Sequence, residues 1–305
     1  MEFFKSNTQI PFMRQQKIAG IFSAIIIIAS IVIISIYGLN LGLDFTGGNQ
    51  LDVKFVKPVD VQLVRETLEK SGFPQAEVSK YNTKQLSVRV GLHPEMSTAA
   101  LKLKLINALP ADIDSSSFQS IGASVGKQLW SNGILAIVVS LIGTMLYIAI
   151  RFEYRFALSA AVALIHDPLL IFGIFSLFHI EFNMIGLTAV LTVIGYSLND
   201  TIVVYDRVRE NFRKVRKKTP SEVMDLSINQ TLSRTIMTSG LTMLVVIALL
   251  FWGGPEVHNF SIALAIGIVI GTYSSIYVAG SMAIALGLTP GNLIASQKKF
   301  DDGMP

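Results

Sequence analysis

Apolar residues follow two different rhythms along this chain. Long runs with almost no charge occupy 18–38, 132–150, 157–178, 184–205, 235–252 and 260–287. Each is close to the ~20 residues that carry a helix across a hydrocarbon core, so six transmembrane spans are predicted. Between the first two runs the rhythm shortens. "NQLDVKFV" sets Leu51, Val53 and Phe55 against polar neighbours, which predicts a strand with one buried face. Asp60 can N-cap "VQLVRETLEKSG", where Val61, Val64 and Leu68 form an apolar stripe and Gly72 supplies the stop. "AEVSKY" and "KQLSVRVG" predict two more strands joined at Asn82-Thr83. Ser97 or Thr98 opens a second helix bearing Leu101, Leu105 and Leu109, and "SSFQSIG" gives a last strand. The order β-α-β-β-α-β predicts a ferredoxin-like unit over 39–131. The expected fold class is an α-helical polytopic membrane protein with one inserted α+β ferredoxin-like domain outside the membrane.

Composition sharpens this reading. Hydrophobic residues make up 51% of the chain and charged residues 15%, with a mean hydropathy of +0.55, which excludes an ordinary soluble domain. The first run is longer than a signal-peptide core and lacks a small-x-small cleavage site, so an uncleaved anchor is expected. The net charge of +4 sits mainly in short loops, which points to topology and away from a nucleic-acid partner. Lys5, Arg14 and Lys17 precede the first span, Arg151 and Arg155 flank "RFEYRF", and 206–234 carries Arg207, Arg209, Arg213, Lys214, Arg216, Lys217 and Lys218. The alternate loops "HIEFN" and "GGPEVHN" have no Lys or Arg. The positive-inside rule then places 1–17 and 288–305 in the cytoplasm and 39–131 on the far side, because long segments translocate regardless of charge. The chain has no cysteine, excluding disulfides, thiolate metal sites and a cysteine nucleophile. "GASVGKQ" has one residue too few between its glycines for a phosphate loop and Gln128 after the lysine. No catalytic constellation, metal site or bound cofactor is expected, and His93 reads as a solvated loop residue.

The candidate chemistry lies inside the spans. A carboxylate near mid-bilayer costs roughly 2.5–3.5 kcal/mol, so Asp200 should face protein or water. Thr192, Tyr196 and Asp200 recur every four residues with Asn199 beside them, and Arg234, Thr238 and Thr242 repeat that spacing in the fifth span. Asp200 lies seven residues before Arg207, roughly 10 Å of helix rise, so Arg234 is its expected basic partner. Burial and a nearby guanidinium act oppositely on an acid's proton affinity, so a helix shift that changes their distance would switch its protonation. The protein would then couple proton flow to movement. Alternatively the pair only pins two helices together. His166, Asp167 and Asp206 are secondary candidates. Pro168 should kink the third span, and His166-Asp167 either relays protons or satisfies the freed backbone groups and knits helices together. Ala263, Gly267, Gly271, Ser275, Ala279 and Ala283 predict a small-residue seam for close packing or for sliding. Gly47 and Gly48 are a hinge or a rigid turn.

"GLDFTGG" (42–48), "RFEYRFA" (151–157), "IGYSLNDTIVVYDRVRENFRK" (194–214), "SRTIMTSG" (233–240) and "IGTYSSIYVA" (270–279) resemble, in order and spacing, the SecD/SecF family of the bacterial Sec protein translocase. Pro168 and Ala123 depart from that family's usual aliphatic residue and proline. The resemblance implies half of a resistance-nodulation-division type bundle in the bacterial inner membrane, the SecD subunit supplying the other half. It implies proton-driven pulling of unfolded preprotein on the periplasmic side, with protons as coupling ion, Asp200 as carrier and Arg234 as its partner. Implied partners are SecD, the Sec translocation channel (SecYEG), YajC as a further candidate, preprotein and membrane lipid. Rival readings are a half-transporter for small hydrophobic molecules and a passive scaffold of the translocon.

Overall fold

The computed structural model describes residues 8–215 and 218–289. Lys5, Arg216, Lys217 and the tail beyond Thr289 lie outside the described residues. In chain order come a 3-10 turn at Phe12–Gln15, α1 (Gln16–Tyr37), α2 (Leu43–Thr46), β1 (Gly48–Phe55), α3 (Val61–Lys70), β2 (Glu77–Lys80), β3 (Gln85–Val90), α4 (Thr98–Asn107) and β4 (Ile113–Ile121). Then follow α5 (Ala123–Arg151), α6 (Tyr154–Leu177), α7 (Met184–Lys214), α8 (Pro220–Trp252) and α9 (Pro255–Tyr273). A π-turn at Ser274–Val278 leads into α10 (Ala279–Ala285). Six of these helical stretches are long and apolar enough to cross a membrane, as the hydropathy pattern predicts.

The chain divides into a sheet unit, Leu41–Leu135 with Glu181–Met184, and a helical unit holding the rest. The sheet is antiparallel throughout, in the order β2-β3-β1-β4, which is the ferredoxin-like arrangement. Register sets Leu51 opposite Val88 and Phe118, and Val78 opposite Val88. With a side-chain period of two, Leu51, Val53, Phe55, Leu86, Val88 and Val90 share one face, where Val64, Leu68, Leu101 and Leu105 of the helices seal them. Each such buried aliphatic contributes roughly 1.5–3 kcal/mol of transfer free energy. Asp60 caps α3 by accepting from Gln62 N at 3.0 Å, and Ser97 rather than Thr98 caps α4, accepting from Ala100 N at 3.3 Å.

Glu181, Phe182 and Asn183 of "HIEFN", read from sequence only as a loop without Lys or Arg, are part of this unit. Phe182 bridges Leu41 in parallel and stacks on Phe45. Met184 N donates to Asp44 Oδ2 at 2.8 Å, and Arg89 Nη2 pairs with Glu181 at 2.8 Å. Burial raises the Glu181 pKa above the usual carboxylate value, outweighing the attraction of Arg89, and the charges of Asp52 and Asp44 add to the rise.

In the helical unit α6, α7 and the last helical stretch form the interior, whereas α1, α5 and α8 leave most of their apolar surface exposed. The small-residue seam packs against α7. A Cβ on Gly267 would collide with Val193, and one on Gly271 would come within 3.0 Å of Ser197. Gly173 of α6 gives the same close approach to Ser30 of α1. Pro168 lies inside α6, which is helical on both sides of it. Two expectations change. The 206–234 segment is mostly helix, since α7 continues to Lys214 and α8 begins at Pro220 behind a Thr219/Glu222 capping box. The helix α5 begins at Ala123, ahead of 132. Hydropathy marks where a helix leaves the hydrocarbon, not where it ends.

Candidate functional site

Two groups of polar side chains lie within the helical unit, and they differ in how completely they are partnered. The first is built on Asp167, fully buried in mid-α6. His166 Nδ1 and Asp167 Oδ1 share a hydrogen bond of 2.8 Å. Ser197 of α7 and Ser274 of the π-turn donate to Asp167 Oδ2 at 2.5 and 2.8 Å. One carboxylate thus ties three transmembrane stretches together. Asp167 therefore bonds hydroxyls of neighbouring helices and His166 bonds Asp167, whereas the sequence also allowed both the backbone groups freed by Pro168. The ring of His166 lies beside Tyr273, and its Nε2 has no hydrogen-bond partner.

The second group surrounds Asp200, one turn along α7 from Ser197. Its side chain is 3% exposed, yet Oδ2 has no hydrogen-bond partner. Arg234 of α8 is close enough for its charge to act on this carboxylate, while Ser239 of α8 bonds Thr272 at 3.0 Å. Arg234 stops short of a salt bridge, because no ion pair within 4.0 Å joins it to Asp200 among the described residues. The expected pairing is therefore through space. Asn199, Thr192 and Arg234 are exposed at the unit's surface. Thr192, Thr238 and Thr242 donate to their own helix carbonyls, and Tyr196 OH reaches Thr242 Oγ1 at 3.4 Å, linking α7 to α8. Asp206 stands apart, 3.7 Å from Arg151.

Gly47 and Gly48 belong to the sheet unit, with φ of 71° and 129°. A Cβ on Gly47 would meet Ala123 Cα at 3.0 Å, and one on Gly48 would meet Val90 O at 3.0 Å. The pair forms a packed turn that glycine alone accepts without strain. Among the described residues, no group of three or more His, Asp or Glu could hold a metal ion.

Sequence reasoning passed over Ser197, Ser274 and Tyr205. Tyr205 is fully buried, shares a hydrogen bond with Ser159 at 2.7 Å and donates to Ala279 O at 3.2 Å. Lone hydroxyls in apolar runs carry no sequence signal until a carboxylate on another helix is known to face them.

Six helical stretches long and apolar enough to span a membrane, an inserted ferredoxin-like unit and a buried acid with an unpartnered oxygen define a multi-pass membrane protein. The description "Protein export membrane protein SecD/SecF, C-terminal" matches residues 102–289, and "SecD/SecF GG Motif" matches 32–59. The chain belongs to the SecD/SecF family. It is 44% identical over 301 residues to the Protein translocase subunit SecF of Vibrio alginolyticus, covering 97% of this chain and 96% of that one. It is 39% identical over 284 residues to the SecF of Escherichia coli O157:H7, covering 91% and 88%. The crystal structure of SecDF, a translocon-associated membrane protein from Thermus thermophilus, superimposes with a TM-score of 0.85 at 34% identity. That match takes in 93% of this chain and 39% of the SecDF chain, so this protein spans about two fifths of SecDF's length. The family places it among multi-pass inner-membrane proteins of Sec-dependent transport.

Proposed function

We propose that this chain is the SecF half of a SecD–SecF pair, converting proton flow into periplasmic pulling on unfolded preprotein leaving the Sec channel. One observation carries the reading. Asp200 is buried with an oxygen unpartnered, while its polar neighbours Asn199 and Arg234 open onto the face of a transmembrane bundle. A buried carboxylate with an idle acceptor is costly if purely structural, and an exposed polar stripe in a span calls for a second bundle to cover it. SecD, as the other part of SecDF, is the partner that fits. Both termini then lie in the cytoplasm and 39–131 in the periplasm. SecYEG is the associated channel, and YajC a further partner.

Protonation of Asp200 would remove its attraction to Arg234 and let α7 and α8 shift. One proton crossing 100 mV releases about 2.3 kcal/mol, enough to bias a two-state rearrangement some fiftyfold. His166 and Asp167 we assign to packing, since both Asp167 oxygens are already engaged. The test is gradient-driven export in vesicles holding this chain, SecD and the Sec channel. Asp200→Asn should assemble normally and lose all gradient-dependent export. If it retains parental export, the coupling role is overturned. If it fails to assemble, the scaffold reading replaces it.

A further inference from the structure

A cleft opens between the end of α5 and the polar extension of α7, with a volume of about 560 Å³, lined by Arg151, Asp206, Arg209, Glu210, Arg213 and Lys214. Its two acids are engaged, Asp206 with Arg151 at 3.7 Å, and Glu210 with Arg207 at 2.8 Å and Lys214 at 2.6 Å. Arg209 and Arg213, one turn apart on α7, have no ion-pair partner among the described residues. Four cations against two carboxylates leave the cleft with surplus positive charge, and two planar guanidiniums are suited to bidentate recognition of a phosphate.

The level of the cleft names the source of that phosphate. The helix α7 starts at Met184, so ~20 residues take it through the hydrocarbon to about residue 204. Residues 206–209 fall in the headgroup layer of about 5–8 Å beyond it, and Arg213, one turn further out, can reach back to that layer with its long side chain. Arg151 meets Asp206 there, so the end of α5 stands at the same height. Just below Arg151, α5 presents Leu146, Tyr147 and Ile150 at 59%, 52% and 79% exposure, a surface for acyl chains.

We propose that this cleft is a binding site for the headgroup phosphate of an anionic phospholipid, with Arg209 and Arg213 as the principal ligands. The proposal rests on the membrane-spanning reading alone and is independent of proton coupling. The test is native mass spectrometry of the full chain in detergent, titrated separately with phosphatidylglycerol, phosphatidylcholine and inorganic phosphate. Phosphatidylglycerol should bind, with phosphatidylcholine and inorganic phosphate far weaker. The double variant Arg209→Gln/Arg213→Gln should lose affinity for phosphatidylglycerol roughly thirtyfold, the effect expected of two cations at a membrane surface. Lys218→Gln, outside the cleft, should bind as the parent does. Parental retention of phosphatidylglycerol by the double variant, equal binding of phosphatidylcholine, or saturation by inorganic phosphate in place of lipid would each overturn the proposal.

Discussion

The two polar groups of the helical unit meet α7 one turn apart, at Ser197 and at Asp200, and teach opposite lessons. Around Asp167 every carboxylate oxygen is engaged, and the cluster is closed on all sides by protein. Around Asp200 one oxygen is idle, the guanidinium stands off, and the neighbouring amide faces outward. A buried carboxylate with both oxygens satisfied fixes a structure, because any rearrangement leaves an uncompensated charge. An unsatisfied one costs stability and is kept where another state or another chain completes it.

The comparison is best broken by removing each acid in turn. Asp167→Ala strands His166, Ser197 and Ser274 together and should destabilise the helical unit by about 3–5 kcal/mol, read as a lowered midpoint in chemical unfolding. A loss under about 1 kcal/mol would mean that the cluster is not what holds the three helices. Asp200→Asn should shift that midpoint far less while removing the drive of about 2.3 kcal/mol per proton per 100 mV. Equal losses of stability at 167 and 200 would erase the distinction.

Gly271→Ala sharpens the contrast, since its Cβ would press on Ser197. It should cost about 1–3 kcal/mol by overpacking. Combined with Ser197→Ala it should cost less than the sum, because both act at the same side chain. Strict additivity would show that the seam and the Asp167 cluster are independent.

The smallest effect is expected in the sheet unit, at the partly enclosed Glu181. Its folded pKa is raised by burial, so the folded state holds the proton more tightly than the unfolded one. The resulting stability is present below the ordinary carboxylate value of 4.5 and is lost as pH rises through the raised one. Glu181→Gln should remove that slope. An NMR titration that finds Glu181 at or below its ordinary value would refute the assignment.

Much of this was legible from periodicity. Long apolar runs located six spans, and the alternation in "NQLDVKFV" with the stripe of Val64 and Leu68 set out the ferredoxin-like unit. Asp200 and Asp167 stood out because carboxylates are rare in such runs. Their difference did not, because it depends on what faces them from other helices. Ser197 donates to Asp167 of α6 and packs against Gly271 of α9, two neighbours that its own sequence surroundings do not reveal. The helices run on past the apolar limits at 132, 205 and 235, to 123, 214 and 220, where the chain is more polar and hydropathy is silent.

The sheet unit is stitched from two separate pieces of chain, Glu181–Met184 lying far along the sequence from Leu41–Leu135. Excising the longer piece as a soluble fragment would strip Arg89 of Glu181 and leave Phe45 without Phe182. Such a fragment would expose an unsealed patch and invite aggregation. Supplying "HIEFN" as a fused tail is the simplest way to close the wound.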